Sequence, residues 1–569
     1  MLIMGFNGVE GTFHDSSASV FLDGDLVFSI EEERLNRRKH SSGIPRLAIE
    51  ECLRHVGANI SDVDAFGFYF EPESMYRNYF LRTVRNYWPN TLKLYWGREF
   101  FEGLRDYESN LRSTLGILEK TPVHFFNHHL CHAASAFHFS MFDDAAILVI
   151  DGSGDDETAS LYVGTPKGEI RRVATFSRYP QSLGFFYASI ADFIGLGWIE
   201  GPGKMMGLAP YGRPRFRDEL KRIIFPAGEY NMDMSYFRYH LGGDMRVSPK
   251  LGQIFTVPQR RKRDPLTDVH ADIAHSAQEV LEEGILYICS KAKELTKKDN
   301  LCYAGGVALN IDANSRIYNS NLFSRMQIHP ASYDGGTSIG AGYLAHYKTF
   351  KLRPNSSSQV FLGTSMNTSG LQEACAKNGF DFRVHSNHQH VTSAAERLAR
   401  REIVGWVYGR MEIGPRALTH RSILAHPGLE REEINKIKMR ENFRPFAPIV
   451  KQERLLDIFQ DGPNESPCML YKYSVKGQHR EALRSIVHVD GSSRVQTIDG
   501  TQELKPTRAL LEEFERLSGI PVLLNTSFNL RGQPLVNSYQ DVLQMFGQTD
   551  LAAVYLENVE ISKLPQGAR

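Results

Sequence analysis

The sequence is poor in cysteine, and its few cysteines form no paired motif. No C-x-x-C spacing occurs among the six cysteines in 569 residues: Cys52, Cys131, Cys289, Cys302, Cys375 and Cys468. Thiolate zinc sites and disulfide-bonded domains need paired or closely spaced cysteines, so the pattern argues against both. It predicts a protein of a reducing compartment.

Long apolar runs and a surplus of charge are also missing. No apolar run reaches the roughly 18 residues that a membrane-spanning helix needs. Lys+Arg and Asp+Glu both number 66, so no general attraction to nucleic acid or to an anionic membrane is expected. Residues 2–7 have the pattern of a strand rather than of a targeting signal. We therefore expect a cytoplasmic protein that binds neither nucleic acid nor a membrane.

What is present is an internal repeat in a chain of globular composition, with 42% hydrophobic residues. A strand, a loop rich in glycine and acids, and a hairpin follow one another over residues 2–30 and again over residues 145–176. This is the plan of the fold shared by actin, hexokinase and the chaperone ATPases (the ASKHA fold), in which two α/β lobes enclose a nucleotide. We predict such a duplicated α/β domain here.

His128 and His132 are four residues apart and are followed by small residues that favour a helix. They would therefore point to the same side of one helical turn. The spacing suits one metal ion held by two imidazoles, with a third ligand from elsewhere in the fold. Asp334, beside a glycine-rich loop, is the natural third ligand. Alternatively, the histidines are ordinary polar residues at the start of a buried helix.

Three glycine-containing loops follow apolar or mixed strands, at residues 151–154, 304–310 and 333–340. Small residues at such turns let backbone N–H groups approach a phosphate, and a following helix N-terminus adds positive potential. We predict a nucleotide site with these candidate residues: Asp151, Gly152, Gly305, Gly306, Asn310 and Gly335. Asp151 could anchor a ribose or a water there, or it could cap its own turn.

With further motifs, the sequence resembles the O-carbamoyltransferases of antibiotic and nodulation-factor biosynthesis, the NodU/CmcH type. The matching stretches include FHDSSA at 13–18, EEER at 31–34, HHLCHAAS at 128–135, SLGFFY at 182–187, GKMMGLA at 203–209, GPRAL at 414–418, FRPFAP at 443–448 and LNTSFN at 524–529. They follow the family's order and span nearly the whole chain.

The resemblance implies two domains, and the polar, proline-containing stretch 352–358 reads as the linker between them. Residues 1–352 would form the ASKHA-type domain, similar to the metal-dependent domain that makes threonylcarbamoyl-adenosine in tRNA. Residues 353–569 would form an α/β domain like YrdC, which makes an acyl adenylate. There, carbamoyl phosphate would lose its phosphate, and the carbamate would attack ATP, supplied with Mg²⁺, to give carbamoyl adenylate.

For the first domain, the resemblance implies that His128, His132 and Asp334 hold a divalent metal against the phosphate of the adenylate. The family uses Fe(II), although two histidines and a carboxylate also suit zinc or manganese. His14 would take the proton from the acceptor hydroxyl, or it only bonds backbone groups in its loop. Lys204 would contact a phosphate or carbamoyl oxygen, or it only extends its charge from a packed loop.

The second domain is rich in cations within the matching motifs. Arginine forks suit phosphate recognition, and several together suit a site for two phosphate-bearing substrates. The candidates for carbamoyl phosphate and ATP are Arg416, Arg421, Lys438, Arg440, Arg444 and Arg494. Solvated surface arginines are the alternative. Lys39, near the end of a charged run, is a further candidate or belongs to a solvated helix face.

Two polar residues and one departure from the family complete the predicted site. Asn525 and Ser527 could bind carbamoyl or carboxylate oxygens, or could shape a turn. The family usually has Gly-Asn after Arg-Ala-Leu, where this chain has Thr419 and His420. That departure leaves the role of Arg421 open.

The acceptor is the least defined part of the prediction. Aromatic residues are dense between positions 66 and 104 and could wall an acceptor pocket, or could form helix core or a homodimer contact. Neutral net charge disfavours tRNA, and the missing cysteine-rich zinc modules disfavour a hydrogenase-maturation factor. We expect a hydroxyl of a small-molecule natural product. The alternative is a nucleotide-binding regulator that uses ATP for lobe closure without group transfer.

Overall fold

The computed structural model describes residues 1–9, 14–74, 77, 106–225, 230–241, 246–386 and 388–564. Over these residues, no helix combines the length and the apolar character that crossing a membrane requires.

The chain forms two compact units. The first comprises Met1–Glu32 and Ser42–Ser358, and the second comprises Glu33–Ser41 and Gln359–Arg569. The boundary therefore lies a few residues after the predicted one, between 352 and 353. The short segment Glu33–Ser41 belongs to the second unit, which the sequence did not indicate.

The first unit contains two five-stranded sheets with the same strand order. One consists of β1 (Leu2–Phe6), β2 (Ser17–Leu22), β3 (Asp25–Glu31), β4 (Ala65–Phe68) and β5 (Val123–Phe125), in the order β3-β2-β1-β4-β5. The other consists of β6 (Ala145–Ile150), β7 (Glu157–Gly164), β8 (Ile170–Arg178), β9 (Asn300–Ala304) and β10 (Arg325–Ile328), in the order β8-β7-β6-β9-β10. Each sheet has three antiparallel strands followed by two parallel ones. The predicted duplicated α/β fold is confirmed.

Helices cover these sheets, and one helix pair is packed especially closely. The helices are α1 (Glu32–Asn36), α2 (Arg46–Val56), α3 (Tyr107–Leu115), α4 (His128–Ser140), α5 (Leu183–Phe193), α6 (Gly201–Leu208), α7 (Arg217–Ile224), α8 (Lys250–Phe255), α9 (Asp268–Thr296), α10 (Ile311–Asn319) and α11 (Thr337–Phe350). Helices α4 and α11 contact each other, and a Cβ at Gly340 of α11 would lie 1.8 Å from the carbonyl oxygen of Cys131. Only glycine permits this approach.

The second unit is built on a mixed eight-stranded sheet. Its strands are β11 (Phe380–Val384), β12 (Val404–Val407), β13 (Arg421–Ala425), β14 (Ala447–Lys451), β18 (Gln496–Ile498), β19 (Val522–Ser527), β20 (Ala553–Leu556) and β21 (Val559–Lys563), in the order β11-β21-β20-β12-β13-β19-β14-β18. A smaller sheet contains β15 (Phe459–Gln460), β16 (Lys472–Val475) and β17 (Ser492–Arg494). The helices are α12 (Leu371–Lys377), α13 (Gln389–Ala399), α14 (Arg431–Lys438), α15 (Leu455–Ile458), α16 (Lys505–Ser518) and α17 (Tyr539–Gly547). The α/β prediction is confirmed for this unit too.

The predicted linker stays with the first unit because its backbone finds partners there. The N–H of Asn355 donates to the carbonyl of Gly24 (3.0 Å), and the N–H of Ser357 donates to the carbonyl of His138 (3.2 Å). A polar stretch that forms such bonds packs against a domain surface instead of acting as a free connection.

The aromatic stretch is only partly described. Phe66, Phe68, Tyr69 and Phe70 are buried in the core of the first unit, which is one of the predicted alternatives. The other members lie outside the described residues: Tyr76, Tyr79, Phe80, Tyr87, Trp88, Tyr95, Trp96, Phe100 and Phe101. The prediction of an acceptor wall therefore stays a prediction.

Candidate metal centre and anion site

The two spaced histidines lie on the first two turns of α4 and face one carboxylate. Asn127 caps this helix by accepting a backbone N–H of the first turn (3.1 Å). The carboxylate of Asp155 accepts the N–H of His128 (2.7 Å). The Nε2 atoms of His128 and His132 are 3.1 Å apart, and they lie 3.3 and 3.1 Å from Oδ2 of Asp151. Both imidazole rings are buried.

Asp334 brings a second carboxylate to the same place. Its Oδ1 lies 3.7 Å from Nε2 of His128 and 3.8 Å from Nε2 of His132. The residue begins the turn that leads into α11, and its carbonyl accepts the side chains of Asn7 (2.7 Å) and Thr337 (2.6 Å). These bonds hold the turn in position beside α4.

The arrangement has the chemistry of a metal-binding site. One donor atom from each of His128, His132, Asp151 and Asp334 lies within 4.8 Å of the other three. Imidazole and carboxylate donors bind divalent cations at about 2.0–2.2 Å, and a cation shared by the four would relieve the close approach of the two ring nitrogens. The set suits Fe(II), zinc or manganese, so the donors alone do not select one metal.

The sequence analysis assigned Asp151 to nucleotide binding and not to the metal centre. Its Oδ2 faces the histidines, while its Oδ1 accepts the N–H groups of Gly152 (2.7 Å) and Gly306 (3.1 Å). A signal was available in the repeat, because Asp151 directly follows β6 as Asn7 directly follows β1. The equivalent positions of the two repeats therefore both lie at the centre: Asp151 faces the histidines, and Asn7 donates to the carbonyl of Asp334.

Opposite charges dominate the electrostatics of this centre. Burial alone lowers the pKa of His132, but hydrogen bonds with Asp151 and Asp334 and their negative charge raise that pKa to about 9. Burial raises the pKa of Asp151, but bonding to the two histidines brings it well below its usual value. The carboxylates thus attract positive charge to this position, as a bound cation would require.

His14 lies within the field of the same carboxylates. Its Nδ1 is 2.5 Å from Oδ2 of Asp15, and 39% of its side chain is exposed. Burial lowers the pKa of His14, but Asp15, Asp334 and Asp151 raise it to about 9. The ring is therefore oriented by Asp15, like a base held by a second group.

The predicted glycines approach backbone or aromatic atoms closely. Gly305 has a φ of +89°, and a Cβ there would lie 2.2 Å from the carbonyl oxygen of Ile150. A Cβ at Gly152 would lie 2.6 Å from the ring of Phe185. The carbonyl of Gly335 accepts the hydroxyl of Ser17 (2.8 Å). Gly305 and Gly152 require glycine for packing. The role of all the predicted glycines in nucleotide binding stays a prediction.

Asn310 and Lys204 have structural partners of their own. Asn310 caps α10 and exchanges two side-chain bonds with Gln278 (2.9 and 3.0 Å). Its amide is thus engaged in the fold, which argues against the predicted nucleotide contact. The Lys204 ammonium lies 3.3 Å from the carboxylate of Glu200, one helical turn away. Its catalytic role stays a prediction.

Four of the predicted arginines form a group of like charges in the second unit, which we call the arginine cluster: Arg416, Arg440, Arg444 and Arg494. Burial, reinforced by neighbouring cluster members, lowers the pKa of Arg416 to about 10, that of Arg440 to about 9 and that of Arg494 well below its usual value. The Nε atoms of Arg416 and Arg494 are buried without a hydrogen-bond partner among the described residues. All four arginines are half-buried. Partly desolvated cations that repel one another are stabilised by an anion, so the cluster has the character of a phosphate site.

Lys438 is placed beside this cluster but is occupied by main-chain and side-chain oxygens. Its ammonium lies 2.5 Å from the carbonyl of Ser527, 2.7 Å from the carbonyl of Asn529 and 2.8 Å from the Asn529 side chain. The Ser527 hydroxyl donates to Asn529 (2.7 Å). Lys438 and Ser527 therefore shape the turn after β19, which is the alternative that the sequence left open for Ser527.

Arg421 bonds to its own and neighbouring loops, and its predicted substrate contact stays a prediction. It is fully buried, and its guanidinium donates to the carbonyls of Tyr408 (3.1 Å), Gly409 (3.1 Å) and Thr364 (2.9 Å). All of these acceptors are backbone oxygens. An arginine used in this way stabilises a turn. Its Nε is buried without a partner among the described residues, as in Arg416 and Arg494.

The departure from the family beside Arg421 has a backbone consequence. Thr419 has a φ of +83°, a conformation that glycine adopts freely and a β-branched residue does not. Its Oγ1 is buried without a partner among the described residues. His420 stacks on Phe361 at 3.7 Å, and its ring nitrogens contact two carbonyls. The family's glycine suits this turn, and threonine is strained in it.

Asn525 is the predicted polar residue with an unused acceptor. It lies in β19, the strand that pairs with β13. Its amide nitrogen donates to the carbonyl of Ala417 (3.1 Å). Its Oδ1 is buried and has no partner among the described residues. Because Ala417 adjoins Arg416 in sequence, this free acceptor lies close to the arginine cluster and can accept an amide N–H.

Comparison with known proteins identifies the class of the chain. A family model described as "Carbamoyltransferase N-terminus" matches residues 6–343, and one described as "Carbamoyltransferase C-terminus" matches residues 395–563. The chain belongs to the carbamoyltransferase family.

Individual relatives cover most of the chain. Nodulation protein NolNO of Sinorhizobium fredii is 33% identical over 97% of this chain and 79% of its own length. Nodulation protein U of Rhizobium fredii is 30% identical over 91% of this chain and 89% of its own length. An uncharacterised protein of Synechocystis is 34% identical over 99% of this chain and 97% of its own length. The predicted resemblance to the NodU-type carbamoyltransferases is confirmed.

Proposed function

We propose that this carbamoyltransferase works in two steps, one in each unit. In the second unit, water cleaves carbamoyl phosphate to carbamate and phosphate. A carbamate oxygen then attacks the α-phosphorus of ATP, so that carbamoyl adenylate forms and pyrophosphate leaves. In the first unit, the hydroxyl of a small-molecule acceptor attacks the carbamoyl carbon, AMP leaves and the hydroxyl proton passes to His14.

The observation that carries the proposal is the arginine cluster. Its half-buried guanidinium groups repel one another, and two of them have Nε–H donors without a partner among the residues that the structure describes. Phosphate-bearing substrates would supply the missing negative charge, and such clamps stabilise the charge that develops during phosphoryl transfer. The free Oδ1 of Asn525 could accept the N–H of the carbamoyl group.

The candidate metal centre supports the second step. His128, His132, Asp151 and Asp334 would hold a divalent metal, which would polarise the phosphate of the adenylate as a Lewis acid. His14, oriented by Asp15, has to be unprotonated to accept the hydroxyl proton, and it would then return that proton to solvent.

The test is pyrophosphate release by the purified protein. It should require both ATP and carbamoyl phosphate, and it should need no acceptor. Arg516→Ala, at an exposed salt bridge with Glu513, is the control and should release pyrophosphate normally. ADP formation that ignores carbamoyl phosphate would refute the proposal and favour an ATP-driven regulator.

A further inference from the structure

One buried carboxylate joins two parts of the candidate metal centre. His128 and His132 lie on α4, whereas Asp151 lies in the loop between β6 and β7, residues 151–156. Asp155 belongs to the same loop and is 1% exposed. Its Oδ2 accepts the backbone N–H of His128 (2.7 Å). The loop that supplies one donor atom of the centre therefore also holds the backbone of another donor residue.

The carboxylate of Asp155 accepts two further N–H groups. Its Oδ2 accepts the side-chain amide of Asn127 (3.1 Å), the residue that caps α4, and its Oδ1 accepts the backbone N–H of Glu71 (3.0 Å). Glu71 lies shortly after β4 of the first sheet. Asp155 thus ties together the helix of the histidines, the loop of Asp151 and a segment of the other lobe, through hydrogen bonds to a charged acceptor, which are the stronger kind.

The loop and the helix are in close contact at Gly154. A Cβ there would lie 2.9 Å from Cδ2 of His129 and 3.1 Å from Cδ2 of His128. The N–H of Gly154 donates to the carbonyl of Glu157 (2.7 Å), and the carboxylate of Glu157 accepts the amide of Asn127 (3.1 Å). Because the contact is tight and the loop is bonded on both sides of Gly154, the loop has little freedom to shift along α4.

We propose that Asp155 is a positioning residue of the metal centre, which sets the distance between the histidine helix and Asp151 and thereby the affinity and geometry with which a divalent cation is bound. Asp155 acts through His128 and Asp151, which supply donor atoms themselves. Hydrogen bonds that orient metal-ligating residues typically contribute 10–100-fold to metal affinity. The inference rests on the metal centre of the proposed function and deepens it.

The substitution Asp155→Asn breaks this arrangement at nearly constant volume. An amide has one acceptor oxygen and one NH₂ group, whereas both oxygens of Asp155 accept N–H groups. In either orientation the new NH₂ group would therefore face donors, those of His128 and Asn127 or that of Glu71. The metal-donor side chains themselves stay unchanged.

The test is titration of the metal-free, full-length protein with Zn²⁺ and with Co²⁺ at pH 8, above the pKa of about 7 to which burial raises Asp155. Asp155→Asn should weaken Zn²⁺ binding about 10–100-fold. It should also change the visible absorption spectrum of bound Co²⁺, which reports the geometry of the donors. Asp156→Asn is the matched control, because it removes the adjacent carboxylate, which pairs with Arg178 (2.5 Å). We expect it to change the affinity less than about twofold.

The Co²⁺ spectrum separates positioning from a purely structural role. A lower Tm of metal-free Asp155→Asn with unchanged Zn²⁺ affinity and Co²⁺ spectrum would overturn the proposal. Equal losses of affinity in the two variants would also overturn it, as would a wild-type protein that binds neither cation. If affinity and spectrum respond to Asp155→Asn, but ATP and carbamoyl phosphate yield no pyrophosphate, the proposed reaction fails while the role of Asp155 stands.

Discussion

The two candidate sites differ in how their charges are balanced. In the candidate metal centre, two histidines and two carboxylates attract one another, so the free protein can hold protons where a cation would bind. In the arginine cluster, half-buried cations repel one another, and two Nε atoms have no hydrogen-bond partner in the part of the chain that the structure describes. The first arrangement is satisfied without its ligand, whereas the second is not. Loss of the bound ligand should therefore change the stability of the first unit little and lower the stability of the second unit.

The largest expected effect is at the candidate metal centre. His132→Ala should lower carbamoyl transfer at least about 10³-fold, because one of two imidazole donors is lost. Pyrophosphate release should stay within about twofold of wild type, since the proposed mechanism assigns that step to the other unit. Metal content and both rates are measured together. His388→Asn, at an exposed histidine, is the control. A parallel loss of both rates would contradict the separation.

Loss of a cluster arginine should have the reverse pattern. Arg494→Met should lower pyrophosphate release about 10²–10³-fold, the cost of removing a donor from a phosphate clamp. In the absence of anions, the same variant should unfold at a denaturant concentration equal to or above that of wild type, because a repulsive buried charge is gone. Urea titrations with and without pyrophosphate check this. Marked destabilisation without anions would show that the arginines are already balanced.

The pKa of His14 offers a finer test of the first site. In metal-free protein its pKa should be about 9, and Asp15→Asn should move it towards the unperturbed value of about 6.5. Because the folded pKa is raised, this group stabilises the fold fully below about pH 6.5, and the contribution disappears as pH rises through about 9. An NMR titration of the ring protons measures the pKa of His14 in the wild type and in Asp15→Asn. An unchanged pKa in the variant would show that Asp15 does not orient the ring. A bound divalent cation should lower the pKa by offsetting the carboxylates.

The smallest effect is expected at the turn beside Arg421. Thr419→Gly should stabilise the protein by about 1 kcal/mol, because it removes a left-handed β-branched residue and a buried hydroxyl without a partner. Thr501, at φ −62°, provides the contrast, since glycine there should destabilise. Urea unfolding of both variants compares them. A loss of stability in Thr419→Gly would show that the threonine is not strained.

Local spacing predicted one half of the metal centre and missed the other. His128 and His132 share a helix, so a period of 3.6 residues was enough to predict that they face the same way. Asp151 reaches them only because β6 packs against α4 and ends beside it, which depends on the order of strands in the folded sheet. In the second unit, composition could not separate Arg494, which lies in a group of like charges, from Arg421, whose terminal guanidinium nitrogens donate to backbone carbonyls. Both look alike as arginines within a motif.

The sequence by itself determined the duplicated α/β plan, the family and the residues available for chemistry, because strand patterns, turns and motifs are local properties. Tertiary structure alone decided that Asp151 faces the histidines, that Lys438 and Arg421 donate to backbone carbonyls, and that Glu33–Ser41 joins the second unit. These outcomes depend on which groups meet after the chain has folded, and on which of them remain without a partner when water is excluded.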